Sequence, residues 1–208
     1  MNLYIVRHGQ TEWNVIGRMQ GSSDIPLNRA GRQQAENVAK RFASLPLDAA
    51  YSSPLSRAYD TAAAIVRGRS LVIEKEPALI EVGFGVWEGK SFEEMDTVYA
   101  QPFHAYMNDP ENNPAPQGGD DMRLRLTDMR AFLQRLLQQY THGENVLLVT
   151  HGFAIRILLS VVMEAPLSCM SVFFMGNTSI SVIRYEQGRP RIELLGDCSH
   201  NPEGIGVN

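Results

Sequence analysis

The sequence lacks the features that mark secreted and membrane proteins. It has only two cysteines, Cys169 and Cys198, and we expect reduced thiols because no secretion signal precedes them. No apolar run approaches the roughly 18 residues that span a bilayer. Residues 1–6 have neither the basic start nor the long apolar stretch of a signal peptide. These absences predict a cytoplasmic protein that has no contact with membrane.

Signatures of nucleic-acid, metal and nucleotide binding are also missing. Lys and Arg number 19 against 23 Asp and Glu, and no basic run stands out, which disfavours nucleic acid as a partner. No His-Glu-x-x-His, His-x-His or Cys-x-x-Cys spacing occurs, so we predict no metal site. Neither a Lys-containing phosphate loop nor a Gly-x-Ser-x-Gly elbow is present. A nucleophile in this chain is therefore expected to be a histidine.

The 208 residues are 44% hydrophobic and 20% charged, which is typical of one globular domain spanning residues 1–208. Short apolar runs alternate with helical patterns, and this alternation predicts an α/β fold with a mostly parallel sheet. The predicted strands are 3–6, 48–52, 71–73, 146–149, 179–185 and 191–195. The predicted helices follow Asn28 and Pro54 and span about 121–140 and 153–162.

Residues 83–120 interrupt this alternation. They are rich in glycine and proline, which predicts an inserted lid or small subdomain. One helix is expected inside the lid, because Ser91 and Glu94 form a capping-box pattern.

Two histidines follow apolar strands directly. His8-Gly9 comes after residues 3–6, and His151-Gly152 comes after residues 146–149. In open α/β sheets, ligands lie beyond the carboxyl ends of the strands, so both rings are expected at one ligand-binding edge. The alternative is that both are core histidines hydrogen-bonded to the backbone.

Two arginines are expected at the same edge of the sheet. Arg7 precedes His8, and Arg57 lies in the first turn of the helix after the second strand. A guanidinium group is always charged and matches pairs of phosphate oxygens. Positive charge also keeps a neighbouring imidazole neutral, as a nucleophile must be. This combination predicts a phosphate pocket.

Glu81 is the candidate proton donor. It lies before a glycine-rich turn that holds Phe84 and Trp87. We expect burial beside these rings, together with a bound phosphate dianion, to favour the protonated carboxyl group. Glu88 and Glu74 are the alternatives, and Glu74 is expected to be solvated.

These residues belong to a longer series of motifs. The series is Arg7-His8-Gly9 with Thr11, Trp13 and Asn14, then Gln20-Gly21, Leu27, Gly31, Ser52-Ser53-Pro54-Leu55-Ser56-Arg57-Ala58, Thr61-Ala62, Glu81, Phe84-Gly85, Trp87-Glu88-Gly89 and His151-Gly152. In this order along the whole chain, the sequence resembles the histidine phosphatase superfamily, in its phosphoglycerate mutase-like branch. Within that branch it resembles broad-specificity and α-ribazole-type phosphatases more than mutases.

The resemblance implies a three-layer αβα sandwich and a covalent phosphohistidine on His8. It also implies a phosphate pocket of Arg7, Arg57 and His151, with Glu81 as proton donor and no metal or other cofactor. In the expected reaction, His8 attacks phosphorus while the arginines and a protonated His151 hold charge on the phosphoryl oxygens. Glu81 protonates the leaving group and then activates water. The expected partners are a small phosphorylated substrate and inorganic phosphate.

Further contacts to the phosphoryl group are expected from Asn14, Gln20, Gly21 and Gly152. One departure from the family pattern is Asp120, where many relatives carry the longer glutamate. The departure concerns any contact that this carboxylate makes, and it leaves the phosphohistidine step untouched.

Two other functions compete with hydrolysis. A phosphoglycerate mutase would use the same core, but mutases of this branch are usually longer and carry basic lid residues. Between residues 85 and 125 this chain has three basic residues against eight acidic ones, which disfavours a bisphosphate or polyanionic sugar. A catalytically inactive phosphate-binding protein would need the arginines but no proton donor at Glu81.

Aromatic residues in the lid could bind an apolar leaving group, although such residues often only pack the lid. They are Phe84, Trp87, Phe92, Tyr99, Phe103 and Tyr106. Met170, Phe173, Phe174 and Met175 are expected in the core, and residues 173–174 could alternatively form the contact of a homodimer. The natural substrate stays open among sugar phosphates, ribazole-type nucleotides and phosphoserine-type monoesters.

Overall fold

A six-stranded β-sheet runs through the computed structural model, which describes residues 1–201. The strands lie in the order β3-β2-β4-β1-β5-β6. They are β1 (Asn2–Arg7), β2 (Ala49–Ser52), β3 (Ile73–Lys75), β4 (Asn145–Thr150), β5 (Ile180–Glu186) and β6 (Arg189–Asp197). Four neighbouring strands, β3, β2, β4 and β1, are parallel, and β5 pairs antiparallel with both β1 and β6. The predicted mostly parallel sheet is confirmed.

Seven α-helices in the described part of the chain connect or cover these strands. They are α1 (Glu12–Val15), α2 (Arg29–Phe42), α3 (Ser56–Val66), α4 (Phe92–Thr97), α5 (Ala100–Asn108), α6 (Met122–Gln139) and α7 (Gly152–Met163). The Asn28 side chain accepts a hydrogen bond from the N–H of Gly31 and caps α2, as its position predicts. Within residues 1–201, no helix is both long and apolar enough to cross a membrane.

The helices cover both faces of the sheet and form two separate cores. Alternate residues of β4 show the division, because successive side chains of a strand point to opposite faces. Val146 and Leu148 pack in the core that includes α6 and α7. Leu147 and Val149 pack in the core that includes α2 and α3. The three-layer αβα sandwich is therefore confirmed.

The segment 83–120 adds to one of these cores. Its helices α4 and α5 bury Met95 and Tyr106, which join the core on the α6 and α7 side. The predicted capping box of Ser91 and Glu94 is present. The segment holds two helices where one was expected, because Pro102 lies in the first turn of α5, where a missing N–H costs little. Whether residues 1–208 form a single domain with a lid stays a prediction, and residues 202–208 lie outside the described part.

Two details of the sequence prediction were wrong. The third strand spans Ile73–Lys75 and not residues 71–73, because its pairing with β2 begins at Ala50 and Ile73. Val72, placed in the predicted strand, is 82% exposed. Met170 and Met175 are buried as predicted, but Phe174 is 47% exposed. Cys169 and Cys198 are both free.

Candidate active site

The strand order brings the two predicted histidines together. β1 and β4 are adjacent and parallel, so His8 and His151, which follow them, lie at the same edge of the sheet. Their ring centroids are 5.0 Å apart, and both side chains are buried. The predicted proximity of the two imidazoles is confirmed.

The hydrogen bond of His8 identifies the tautomer of its ring. Nδ1 lies 2.6 Å from the carbonyl oxygen of Gly9. Because a carbonyl can only accept, Nδ1 carries the proton and Nε2 keeps its lone pair. Burial, followed by the charges of Arg57 and Arg7, lowers the pKa of His8 well below the usual histidine value. The ring is thus a neutral imidazole whose Nε2 keeps its lone pair.

His151 has a different set of partners. Its Nδ1 accepts a hydrogen bond from Nε of Arg57 at 3.2 Å, and its Nε2 donates to the Ser53 hydroxyl at 2.7 Å. Burial, then the charges of Arg57, His8 and Arg7, lowers the pKa of His151 well below the usual value. In this structure the His151 imidazole is therefore neutral, because a neighbouring guanidinium occupies the nitrogen that would take the proton. Its protonation in the presence of a bound phosphoryl group stays a prediction.

Arg57 is fixed by backbone carbonyls and lies completely buried. Its two terminal nitrogens donate to the carbonyl oxygens of Ser23 at 2.7 Å and Gly21 at 2.8 Å. These contacts tie α3 to the loop that precedes α2. The guanidinium is thereby held beside the two imidazoles with little freedom to move.

Arg7 supplies the second guanidinium of the site. Its Nη1 donates to the carbonyl oxygen of Met175, and within residues 1–201 its Nε is buried without a hydrogen-bond partner. Burial lowers the pKa of Arg7 to about 10, which leaves the side chain charged at neutral pH. A buried donor without a partner is costly, and a phosphate oxygen would satisfy it.

Glu81 is 8% exposed, and its side chain lies against the first turn of α7. Its carboxylate oxygens accept hydrogen bonds from the N–H groups of Phe153 at 3.2 Å and Ala154 at 3.1 Å. Phe84 lines the same cavity as Glu81, as expected. The Trp87 ring packs against Phe103, at a centroid distance of 5.7 Å, and Tyr106, and its expected contact with Glu81 stays a prediction. Backbone N–H donors contact the Glu81 carboxylate.

The predicted residues line one small cavity at the strand ends, which we call the strand-end cavity. Its volume is about 100 Å³. The predicted residues that line it are Arg7, His8, Asn14, Gln20, Gly21, Arg57, Glu81 and Gly152. His151 is completely buried and lies behind His8, outside this lining. The geometry therefore brings the predicted set together, with His151 as a supporting layer.

Glu88, an alternative proton donor, has its carboxylate occupied by hydrogen bonds to neighbouring loops. Its carboxylate accepts hydrogen bonds from Ser22 and Ser23 and from the N–H of Phe84. Burial raises the pKa of Glu88, but these hydrogen bonds outweigh burial and leave the pKa below its usual value. A side chain on Gly21 would collide with the Glu88 carboxylate, at a Cβ–Oε1 distance of 2.2 Å. Glu88 thus clamps the loop under the cavity. Glu74 is exposed, as expected.

Asp120 contacts the backbone two residues after Glu81. One of its oxygens accepts a hydrogen bond from the N–H of Gly83 at 2.8 Å, and the same oxygen lies 3.7 Å from Nε of Arg125. The shorter carboxylate therefore holds the end of the segment 83–120 against its beginning. Asp120 is absent from the lining of the strand-end cavity.

The sequence analysis missed two arginines that also line the strand-end cavity, Arg18 and Arg156. Arg156 could have been found, because it lies four residues after Gly152 on α7 and so projects from the same helix face. Counting charges only between residues 85 and 125 left out both arginines. The four arginines make this cavity more basic than the segment that covers it.

A larger second cavity adjoins the first. Its volume is about 310 Å³, and we call it the apolar cavity. It is lined mostly by aromatic and methionine side chains: Met19, Phe92, Phe103, Tyr106, Met107, Asn108, Pro110, Met122, Phe153, Arg156, Met170 and Ser171. The two cavities share Met19, Phe92, Phe153 and Arg156. No group of three or more metal-ligating side chains occurs among residues 1–201.

Known proteins match this chain along most of its length. The model of the histidine phosphatase superfamily (branch 1) matches residues 3–198. Phosphoserine phosphatase 1 of Hydrogenobacter thermophilus is 32% identical over 96% of this chain and 94% of its own length. The probable phosphoglycerate mutase GpmB of Proteus mirabilis is 34% identical, with the same coverage of both chains.

Solved structures agree with the sequence comparison. The α-ribazole phosphatase from Shigella flexneri superposes with a TM-score of 0.84 and 27% identity, over 95% of this chain and 96% of that one. The phosphatase activity expected from the sequence is thus confirmed, although length does not separate this chain from the probable mutase. With its three layers, its paired histidines and its matching family model, the chain belongs to branch 1 of the histidine phosphatase superfamily and is a phosphoric monoester hydrolase.

Proposed function

We propose that the chain hydrolyses small phosphomonoesters through a covalent phosphohistidine at His8, without a metal ion. The observation that carries the proposal is the hydrogen bond from Nδ1 of His8 to the carbonyl of Gly9. It leaves the lone pair of Nε2 for attack on a phosphoryl group held by Arg7 and Arg57, which line the same cavity.

In the first half-reaction, Nε2 of His8 attacks phosphorus and the P–O bond to the leaving group breaks. The charges of Arg7 and Arg57 stabilise the equatorial oxygens in the transition state. The carboxyl group of Glu81 gives a proton to the departing alkoxide. Arg57, held by two backbone carbonyls, needs no rearrangement for this role.

In the second half-reaction, water attacks the phosphohistidine and the N–P bond breaks. The Glu81 carboxylate takes a proton from the water. Inorganic phosphate is released, and the neutral imidazole of His8 is regenerated. Asn14, Gln20 and Gly152 line the cavity where the phosphoryl group would lie. His151 supports Arg57 through their hydrogen bond. Its protonation state responds to the charge of the phosphoryl group bound on the far side of His8.

The second candidate function is phosphoryl transfer between hydroxyl groups, as in a phosphoglycerate mutase. The likeness to the probable mutase favours it, and the core of the site serves both reactions. The acidic residues in the segment 85–125 favour hydrolysis, since a mutase must retain a bisphosphate, whereas the four arginines of the strand-end cavity suit either reaction. An inactive phosphate-binding protein, the third possibility, would not need a carboxylate beside the arginines.

The test is capture of the phosphoenzyme from 4-nitrophenyl phosphate with chelator present. Rapid alkaline quenching followed by intact mass measurement should show one added phosphoryl group in the unaltered protein. The His8→Ala protein should lack this species and lose at least about 10⁴-fold in kcat. His142→Ala is the matched control, because His142 also precedes a glycine but lies exposed.

Full activity of His8→Ala would disprove the proposed nucleophile. Turnover of 3-phosphoglycerate with a bisphosphate primer, faster than phosphate release, would replace hydrolysis with the mutase reaction. A protein that binds phosphate but turns over neither substrate would support the inactive alternative.

The cytoplasmic location and the homodimer also stay proposals. Val172 is 73% and Phe174 is 47% exposed, and these two side chains are where we would place a contact between two copies. Light scattering of the unaltered protein and of Phe174→Ser would test that contact.

A further inference from the structure

Arg156 lies between the two cavities. Its side chain projects from α7 and lines both the strand-end cavity and the apolar cavity. Among the residues shared by the two cavities, Met19, Phe92 and Phe153 are apolar, so Arg156 is the charged member of the shared wall. A substrate that occupies both cavities would therefore meet one charged side chain, Arg156, in the wall that the cavities share.

The position of Arg156 is fixed by packing rather than by an ion pair. Its guanidinium carbon lies 4.9 Å from the centroid of the Phe153 ring. That ring packs edge-on against Phe84, with centroids 5.0 Å apart. Stacking on an aromatic face holds a guanidinium in place and leaves its N–H donors free for another group.

The donors of Arg156 are incompletely used. Within residues 1–201, Nε of Arg156 is buried and has no hydrogen-bond partner. Leaving such a donor unsatisfied destabilises the protein, so an unpaired donor at a cavity wall indicates a ligand. Burial lowers the pKa of Arg156, and the nearby Glu81 opposes this effect.

Two guanidinium groups other than Arg156 are available to hold the phosphoryl group. Arg7 and Arg57 already lie beside His8 in the smaller cavity, whose volume of about 100 Å³ suits a phosphoryl group. The adjoining volume of about 310 Å³ is lined by apolar side chains and suits the leaving group. Arg156 therefore faces the part of the substrate next to the ester oxygen.

We propose that Arg156 is a specificity residue that binds a carboxylate on the leaving group of the substrate, while the apolar body of that group fills the apolar cavity. The proposal rests on the phosphatase function proposed above and names its substrate class, carboxylated monoesters with an aromatic or aliphatic body. A planar carboxylate can accept two parallel hydrogen bonds from Nε and Nη of one guanidinium. Arg156 thereby supplies the anion recognition that the acidic residues 85–125 lack.

The experiment compares kcat/KM for carboxyphenyl phosphates with that for their carbamoylphenyl counterparts, in the ortho, meta and para series. Each pair has the same size and differs in the charge of one substituent. We expect the unaltered protein to prefer the carboxylate in at least one series by about tenfold to hundredfold. Arg156→Met should abolish that preference, and Arg156→Lys should keep part of it, because the lysine charge lacks the planar donor pair.

Arg130→Met is the matched control, since Arg130 is exposed on α6 and lines neither cavity. For each pair of esters, the ratio of the two kcat/KM values should be the same in Arg130→Met as in the unaltered protein. An unaltered protein without any carboxylate preference would overturn the proposal, and so would an Arg156→Met protein that keeps the full preference. A protein that hydrolyses none of these esters would instead disprove the phosphatase function. Circular dichroism of each variant separates lost recognition from lost folding, and the comparison within the unaltered protein stands without any variant.

Discussion

The strand-end cavity and the apolar cavity share a wall but are built in different ways. Polar side chains that follow β1, β2 and β4 form the first cavity, and many are fixed by hydrogen bonds, such as that of His8 to Gly9. Methionine and aromatic side chains of α4, α5, α6 and α7 form much of the second. The chemistry of the molecule therefore depends on the rigid sheet, whereas its choice of leaving group depends on the segment between the strands.

The contrast extends to the forces that hold each cavity. In the strand-end cavity, moving one group breaks several hydrogen bonds, because Arg57 contacts His151, Ser23 and Gly21 at once. In the apolar cavity, packing is non-directional, and methionine side chains adapt to different shapes. We expect substitutions in the first cavity to change the rate of every substrate, and those in the second to change the ranking of substrates.

Glu81→Gln should give the largest effect within this comparison. The amide cannot give a proton to the leaving group, so kcat for alkyl phosphates should fall about 10²–10⁴-fold. Aryl esters with acidic leaving groups need less protonation and should lose less. The measurement is the slope of log kcat against leaving-group pKa, which should be steeper in Glu81→Gln than in the unaltered protein.

The matched control is Glu93→Gln, which changes an exposed carboxylate of α4. It should leave both the rate and the slope unchanged. Equal slopes in Glu81→Gln and the unaltered protein would remove Glu81 from the role of proton donor and break the assignment of chemistry to the strand-end cavity.

The strand-end cavity could largely be predicted from the sequence because its residues occupy strand ends. His8 and His151 each follow an apolar strand, and parallel strands end at one edge of a sheet. Such local signals survive without knowledge of the packing. The charge state of His151 could not be predicted, because it depends on a hydrogen bond from Arg57, 94 residues away in sequence.

The apolar cavity could be predicted only in part. The candidate aromatic residues Phe92, Phe103 and Tyr106 line it, but the rest of its wall is assembled from separate segments. Arg156 carries no motif of its own, and its position matters only once α7 packs beside the residues around Phe92. The misplaced third strand has a similar cause. Hydrophobicity favoured residues 71–73, whereas hydrogen bonding to β2 selected Ile73–Lys75.

Met107→Trp should sharpen the contrast by filling the apolar cavity alone. Met107 is part of that lining and absent from that of the strand-end cavity. The larger side chain should lower kcat/KM for 1-naphthyl phosphate about tenfold or more, a usual effect of misfit in a hydrophobic pocket. Ethyl phosphate should change by no more than about twofold. An equal loss for both esters would mean that the cavities do not act separately.

The smallest expected effect concerns stability against pH, and it should come from buried histidines. Two lie at the strand ends, and burial also lowers the pKa of His200, which lines neither cavity. His8 and His151 have lowered pKa values in the folded protein, whereas an unfolded chain has the ordinary value of about 6.5. Below about pH 6.5 the unfolded state therefore binds more protons than the folded state, and stability falls as pH falls towards the folded pKa values. Each histidine contributes a slope of at most about 1.4 kcal/mol per pH unit, which is reached where the unfolded state is fully protonated and the folded state is not.

Urea unfolding between about pH 5 and pH 7 would measure this slope. His8→Asn removes one buried imidazole, so its stability should depend less steeply on pH than that of the unaltered protein. Met107→Trp changes packing without changing a titratable group, so its slope should be unchanged whatever its stability. If His8→Asn and the unaltered protein had the same slope, burial of the His8 imidazole would not be linked to folding.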